Sequence, residues 1–210
     1  MASTFEVLQL AAMAVALQQL DIATIAQLTR AAVSAVVCQA GCCALADVLT
    51  DDCCPTSEQP SEQAVTALLS ALRAHPATVG VQLEGCRGLG NWCRVSEAAR
   101  AVAGAGGAFE ALESALRAHK EHVDVADIAC FALAHLVASS PEFCGKAHRA
   151  GTLDALLDVM RTHPTYESLQ RRGCLSLGYF CSHLGAPVAA QLGVPAVAIS
   201  ALRLCVLITG

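Results

Sequence analysis

Gly41-Cys42-Cys43-Ala44-Leu45 returns as Gly85-Cys86-Arg87-Gly88-Leu89, then as Ala129-Cys130-Phe131-Ala132-Leu133, then as Gly173-Cys174-Leu175-Ser176-Leu177. Each copy begins 44 residues after the one before it. A second block keeps the same step. Ala67-Leu68-Leu69-Ser70-Ala71-Leu72-Arg73-Ala74-His75 matches Ala111–His119, and Ala155–His163 follows 44 residues later. A third marker, Gly107, recurs at Gly151 and, two residues early, at Gly193. Three markers in one register identify stacked supersecondary units, because self-similarity at a fixed period is how repeat architectures show themselves in sequence.

Each unit reads as three helices. Ser96–Ala105, Pro141–Ala150 and Pro187–Leu192 are short first helices, each closed by a glycine suited to a left-handed cap. Ala108–His119, Thr152–His163 and the tail from Ala196 are second helices. In the first of these Phe109, Leu112, Ala115 and Leu116 fall at the three- and four-residue steps of one buried face. Pro76 and Pro164 enforce a stop after two second helices. The third helices are Val79–Arg94, Val123–Ala138 and Glu167–His183, with a truncated predecessor at Val33–Leu49. Residues 1–20 form an N-terminal helix or partial cap, which Ser3 or Thr4 followed by Glu6 would start. The units run approximately over 21–50, 51–94, 95–138, 139–183 and, in part, 184–210. Asp51–Gln63, polar and proline-bearing, reads as a loop. Stacked helices approach to about 8–10 Å, so the columns Cys42, Cys86, Cys130, Cys174 and Gly41, Gly85, Ala129, Gly173 are the small residues of the crossing points.

Composition agrees. The 210 residues are 55% hydrophobic and 4% aromatic, and 41 are alanine. This is an all-α composition and excludes a disordered chain. With 13 Lys+Arg against 18 Asp+Glu the net charge is −5, which argues against nucleic acid as partner. No stretch reaches the ~18 uninterrupted apolar residues of a membrane span; Leu10–Leu17 is too short and Arg203 interrupts Val194–Ile208. The first residues lack the basic start of a signal peptide. The expected location is cytoplasmic, with the nucleus left open.

The expected chemistry is none: no catalytic residues, no cofactor and no metal. Gly-x-x-x-x-Gly-Lys-Ser/Thr, Gly-x-Ser-x-Gly and His-Glu-x-x-His do not occur. Gly104-Ala105-Gly106-Gly107 closes a helix and does not join a strand to one. Twelve cysteines suit a secreted disulfide scaffold, but the repeat sets column neighbours about 10 Å apart, beyond the ~7 Å between α-carbons that a disulfide spans. They read as small buried hydrophobes in a reducing compartment. His75, His119 and His163 supply one residue per repeat, which suits helix-end carbonyls and dipoles better than a converging zinc site.

The chain resembles armadillo repeat proteins over about residues 20–210. The likeness lies in the Gly-Cys-x-Gly/Ala-Leu-x-Asn-Trp/Leu third-helix core, best seen in Gly85–Trp92, and in the closing Ala105-Gly106-Gly107 and Ala150-Gly151. The Ala-Leu-Arg-Ala-His ending is similar to that of armadillo-type arrays in large eukaryotic, often protist, proteins and in leucine-rich-repeat kinases. The first unit departs from the pattern, without a clear first helix and with a shortened loop around Ala31-Ala32. The resemblance implies a right-handed α–α superhelix of about four to five units with three helices per 44-residue repeat, whose third helices line a concave groove. The family's ladder asparagine falls on Asp47, Asn91, His135 and Tyr179, and only Asn91 matches it. One turn earlier on the same face lie Cys43, Arg87, Phe131 and Leu175, and a turn before them Ala40, Glu84, Ile128 and Arg172.

The candidate partner-binding residues are therefore Glu84, Arg87, Asn91, Ile128, Phe131, His135, Arg172, Leu175 and Tyr179, a mix suited to an extended peptide or a helix of another protein. The competing account is that Phe131 and Leu175 only pack the helix seam. Trp92 is assigned to the core. Importin-α-type recognition of basic signals is disfavoured, since one asparagine matches and no tryptophan stands one turn before it. The expected function is a non-catalytic protein–protein interaction scaffold. The alternatives are a regulatory repeat segment of a larger enzyme such as a kinase, of which this chain is a fragment, and an enzyme in its own right. The apolar end Leu204–Gly210 lacks the polar cap that a solenoid needs, so end-to-end self-association through it is a further expectation. On the native protein a thiol reagent is expected to label Cys53 and Cys54 before the column cysteines; slower reaction there than at Cys86 or Cys130 would contradict the reading.

Overall fold

In the computed structural model the described residues are 3–19, 21–32, 34–49, 59–138, 140–184, 190, 193, 194, 197 and 198. Among them the chain is all-helical: α1 (Thr4–Gln18), α2 (Ile22–Ala31), α3 (Ala35–Asp47), α4 (Gln59–Ala74), α5 (Val79–Val95), α6 (Glu97–Ala105), α7 (Ala108–Ala118), α8 (Val123–Val137), α9 (Pro141–Arg149), α10 (Thr152–Thr162) and α11 (Glu167–Leu184). The chain divides into two compact units, residues 1–108 and 109–210. In the first, α1 rests on α2 and α3, α2 on α4, and α3 on α5, with α6 against α4 and α5. In the second, α8 packs on α11, and α9 lies against α8, α10 and α11.

Local chemistry sets the helix ends. Ser3 and Glu6 form a reciprocal capping box: the Ser3 N–H donates to Glu6 Oε2 at 2.6 Å and the Glu6 N–H to Ser3 Oγ at 3.2 Å. Asp21 caps α2 by accepting from the Thr24 N–H, and Ser96 and Ser140 cap the short helices α6 and α9. Gly107, Gly151 and Gly193 all have φ between 74° and 79°, the left-handed region in which a Cβ is strained. One sequence expectation fails here. The stretch Asp51–Gln63 is not loop to its end, because α4 already starts at Gln59. Pro60 stands in its first turn, where the missing N–H costs nothing, and Glu62 favours the positive helix end. The expected helix Pro187–Leu192, the tail from Ala196, Cys53-Cys54 and Leu204–Gly210 lie outside the described residues, wholly or for the most part.

The 44-residue step is visible as contact within each unit. Trp92, wholly buried as expected, donates its indole N–H to the Leu45 carbonyl at 2.9 Å, and the Asn91 amide donates to the Ala46 carbonyl at 3.1 Å. In the second unit the Thr152 hydroxyl donates to the Phe109 carbonyl at 3.1 Å, 43 residues back. His163 Nε2 bonds the Lys120 carbonyl at 2.6 Å, so this histidine serves the helix end one period earlier. The close approach explains the glycine column. A Cβ on Gly85 would stand 2.7 Å from Leu72 Cδ2, one on Gly173 would stand 2.5 Å from Met160 Sδ, and one on Gly41 would collide with Thr29. At these glycines α3 is thereby pressed onto α2, α5 onto α4 and α11 onto α10.

Helix ends buried this way need their carbonyls satisfied. Gln82 does so for α4, donating Nε2–H to the Leu72 and His75 carbonyls at 2.8 and 3.1 Å. Gln170 repeats the device for α10, on Met160 and His163 at 2.8 and 2.9 Å. Both side chains are buried. Gln170→Leu keeps the volume and removes both donors, so it is expected to lower unfolding free energy by about 2 kcal/mol. The readout is a lower urea midpoint with an unchanged m-value; an unmoved midpoint would contradict the clasp.

Candidate partner-binding face

The nine residues singled out from sequence fall on two patches, one in each unit. In the first unit Arg87 is the hub. Its Nη1 meets Asp47 Oδ1 at 2.7 Å, its Nη2 meets Glu84 Oε2 at 2.6 Å, and Cys43 Sγ lies 3.5 Å from Nη2. Glu84 and Arg87 stand one turn apart on α5, and Asp47 reaches them from the last turn of α3. The patch is held by its own charges, and Asn91 is tied to the Ala46 carbonyl beside it. Ion pairs with this much solvent contact add little stability. Their effect is positional, fixing where Arg87 points.

The second unit builds a different surface from equivalent positions. Arg172 on α11 reaches across to α8, where Nη1 bonds Asp127 Oδ2 at 2.8 Å and the Asp127 carbonyl at 3.3 Å. Ser168 Oγ donates to the same carboxylate oxygen at 3.2 Å. The guanidinium sits 5.0 Å from the Phe131 ring centroid, and that ring meets His135 edge-on with centroids 4.7 Å apart. Stacking and ion pairing use the planar fork of arginine in two directions at once. Ile128, Phe131, His135 and Tyr179 are half-buried, while Leu175 is 49% exposed. Leu175 is thus half open to solvent on α11.

Asp127 is the residue that sequence reasoning passed over. Its signal was an acid on α8 standing 45 residues before a base on α11, one residue more than the repeat step. The side chain is buried, and Oδ1 has no hydrogen-bond partner among the described residues. Burial pushes its carboxyl above the ordinary value, with Arg172 pulling it back. Elsewhere burial pushes the Cys86 and Cys93 thiols up to about 12 and makes them poor nucleophiles, and Cys42 is raised by its bond with Cys38 and by burial. Among the described residues no group of three or more His, Cys, Asp or Glu is placed to hold a metal ion, and no helix is long and apolar enough to cross a membrane. A hollow of about 270 Å³ between α7 and α10 is lined by Arg117, Lys120 and Asp158 with Leu116, Ala155 and Val159. Its charged groups are already matched, Arg117 by Glu113, Lys120 by Glu121 and Asp158 by Arg161.

The Asp127–Arg172 pair has a pH signature. A carboxyl raised in the folded chain stabilises below its unfolded value and loses that contribution as pH rises through the folded value. Arg172 offsets the loss. Arg172→Leu strands the carboxylate and is expected to cost about 3 kcal/mol near pH 8. The deficit relative to wild type should shrink as pH falls and Asp127 takes up its proton. Urea titrations across a pH series check this, and a deficit independent of pH would contradict it.

The fold has a solved counterpart. The crystal structure of an engineered protein from the Northeast Structural Genomics Consortium superposes with a TM-score of 0.68 over 90% of this chain and 76% of that chain, at 23% sequence identity. Likeness at that identity is a likeness of fold. No family model and no curated protein matches the chain.

Proposed function

We propose that this chain is an armadillo-type array that binds a segment of another protein, an extended peptide or a helix, on the surface of its third helices, and carries out no chemistry of its own. In this reading the repeats form a right-handed superhelix with three helices per unit, and the protein works in the cytoplasm. The observation that carries it is the patch on α8 and α11. There Phe131 stacks against an arginine, Arg172, whose charge is already met by Asp127, and the same two helices carry the exposed Leu175 and the half-buried Ile128 and Tyr179. Such a patch offers apolar contact area with the arginine held rigid, which is the composition of binding hot spots. Because the frame is preset by Asp127, Ser168 and Phe131, little order has to be imposed on binding. The first unit offers a polar counterpart, Glu84, Arg87 and Asn91, suited to backbone and side-chain hydrogen bonds of the same kind of ligand.

Selection from a displayed peptide library against the immobilised chain tests the reading. Enriched peptides are expected to bind Phe131→Ala/Tyr179→Ala at least tenfold more weakly, a loss of about 1.4 kcal/mol or more, with far-UV circular dichroism unchanged. Failure to enrich any peptide, or equal binding to the double variant, would defeat the proposal.

A further inference from the structure

Helix α1 is apolar on both sides, and only one side is used among the described residues of the first unit. Gln9, Met13 and Ala16 are buried and seat α1 on its neighbours α2 and α3. On the other side Phe5, Leu8, Ala12 and Val15 follow each other at steps of three, four and three, the spacing of a coiled-coil seam. Phe5 is 62% exposed, Leu8 64% and Val15 51%, and Ala12 is exposed as well. A polar glutamine is thus inside while phenylalanine and leucine face solvent. Together with Val7 the seam exposes on the order of 400 Å² of apolar surface, in the upper range of what a monomer leaves open.

We infer that this seam pairs with the same seam of a second copy of the chain, antiparallel and about a two-fold axis. Two observations select that occupant. First, the seam carries no charge. Glu6 is the acid of α1, no Lys or Arg lies in it, and the Glu6 carboxylate is held low by bonds to Ser34 and Ser3. Nothing there would choose a partner by charge. Second, the seam complements itself in volume. Its large residues, Phe5 and Leu8, are in the N-terminal half and its small ones, Ala12 and Val15, in the C-terminal half. Antiparallel pairing sets Phe5 against the other copy's Val15 and Leu8 against its Ala12, large into small, as interdigitating helices require. Parallel pairing would set Phe5 on Phe5 and Ala12 on Ala12, with a clash at one end and a gap at the other. An open hollow of about 460 Å³ beside Phe5, lined by Ser3, Phe5, Glu6, Gln9 and Ser34, leaves room for the end of the arriving helix. The area is about half of the ~800 Å² per partner in a standard interface, so the dimer is weak and reversible.

Sedimentation equilibrium of the full chain under reducing conditions, from about 1 to 200 μM, tests this. The weight-average mass is expected to rise from that of one 21.6 kDa chain toward twice that value. Leu8→Glu, at an exposed site that leaves the fold intact, should hold the chain monomeric. Ala12→Leu should weaken the dimer at least tenfold by setting leucine against leucine, and Leu8→Ala/Ala12→Leu should restore it by exchanging large and small on both copies. A chain monomeric throughout, a dimer that survives Leu8→Glu, or a dimer that Ala12→Leu strengthens would each overturn the inference.

Discussion

Helix seats on helix one 44-residue step away, and each buried helix end must still have its carbonyls bonded; the rest of the molecule follows from meeting both demands together. Close seating requires glycine, alanine or cysteine where helices cross. Bonded ends require long polar side chains that reach from the neighbouring helix. Gln82, Gln170 and Trp92 do this work, each giving an N–H to a carbonyl that another helix end or another repeat would otherwise leave dry. An orphaned buried carbonyl costs about 1–3 kcal/mol, a large share of the 5–15 kcal/mol by which a domain is stable. These donors are therefore as much part of the core as the leucines around them.

That scaffold decides what the surface can offer. Its Cys86 and Cys93 thiols are buried and raised to about 12, and its buried carboxylate, Asp127, is engaged by Arg172. What is left outward on α8 and α11 is apolar and aromatic area around a fixed guanidinium. The equivalent surface on α3 and α5 is instead a closed set of ion pairs around Arg87. Two patches from the same repeat positions thus differ in chemistry.

Much of this was legible in the residues. The recurring Gly-Cys and Ala-Leu-Arg-Ala-His blocks place α5 to α11 to within a residue at each end, because glycine and proline stops leave the chain few choices. Ser3 and Glu6 announced their cap. The glutamine clasps were hidden because Gln82 and Gln170 are two periods apart, with Ala126 at the position between them. Asp127 was hidden because it sits one residue out of register with the ladder and acts through Arg172. The start of α4 was misread because Pro60 reads as a breaker in a polar run, whereas at the head of a helix it is an asset. No reading by period could say which side of α1 is covered, since both sides repeat at three and four.

The register itself can be read at one atom. Trp92 is the single tryptophan, and its indole N–H donates to the Leu45 carbonyl 47 residues earlier. In a ¹⁵N-labelled sample the indole resonance is unambiguous. The account expects it to exchange with solvent as slowly as the core amides of α5 and to show nuclear Overhauser contacts to Leu45. An indole proton that exchanges within the dead time, or whose contacts lie on residues other than those of α3, would contradict the 44-residue stacking on which everything else rests.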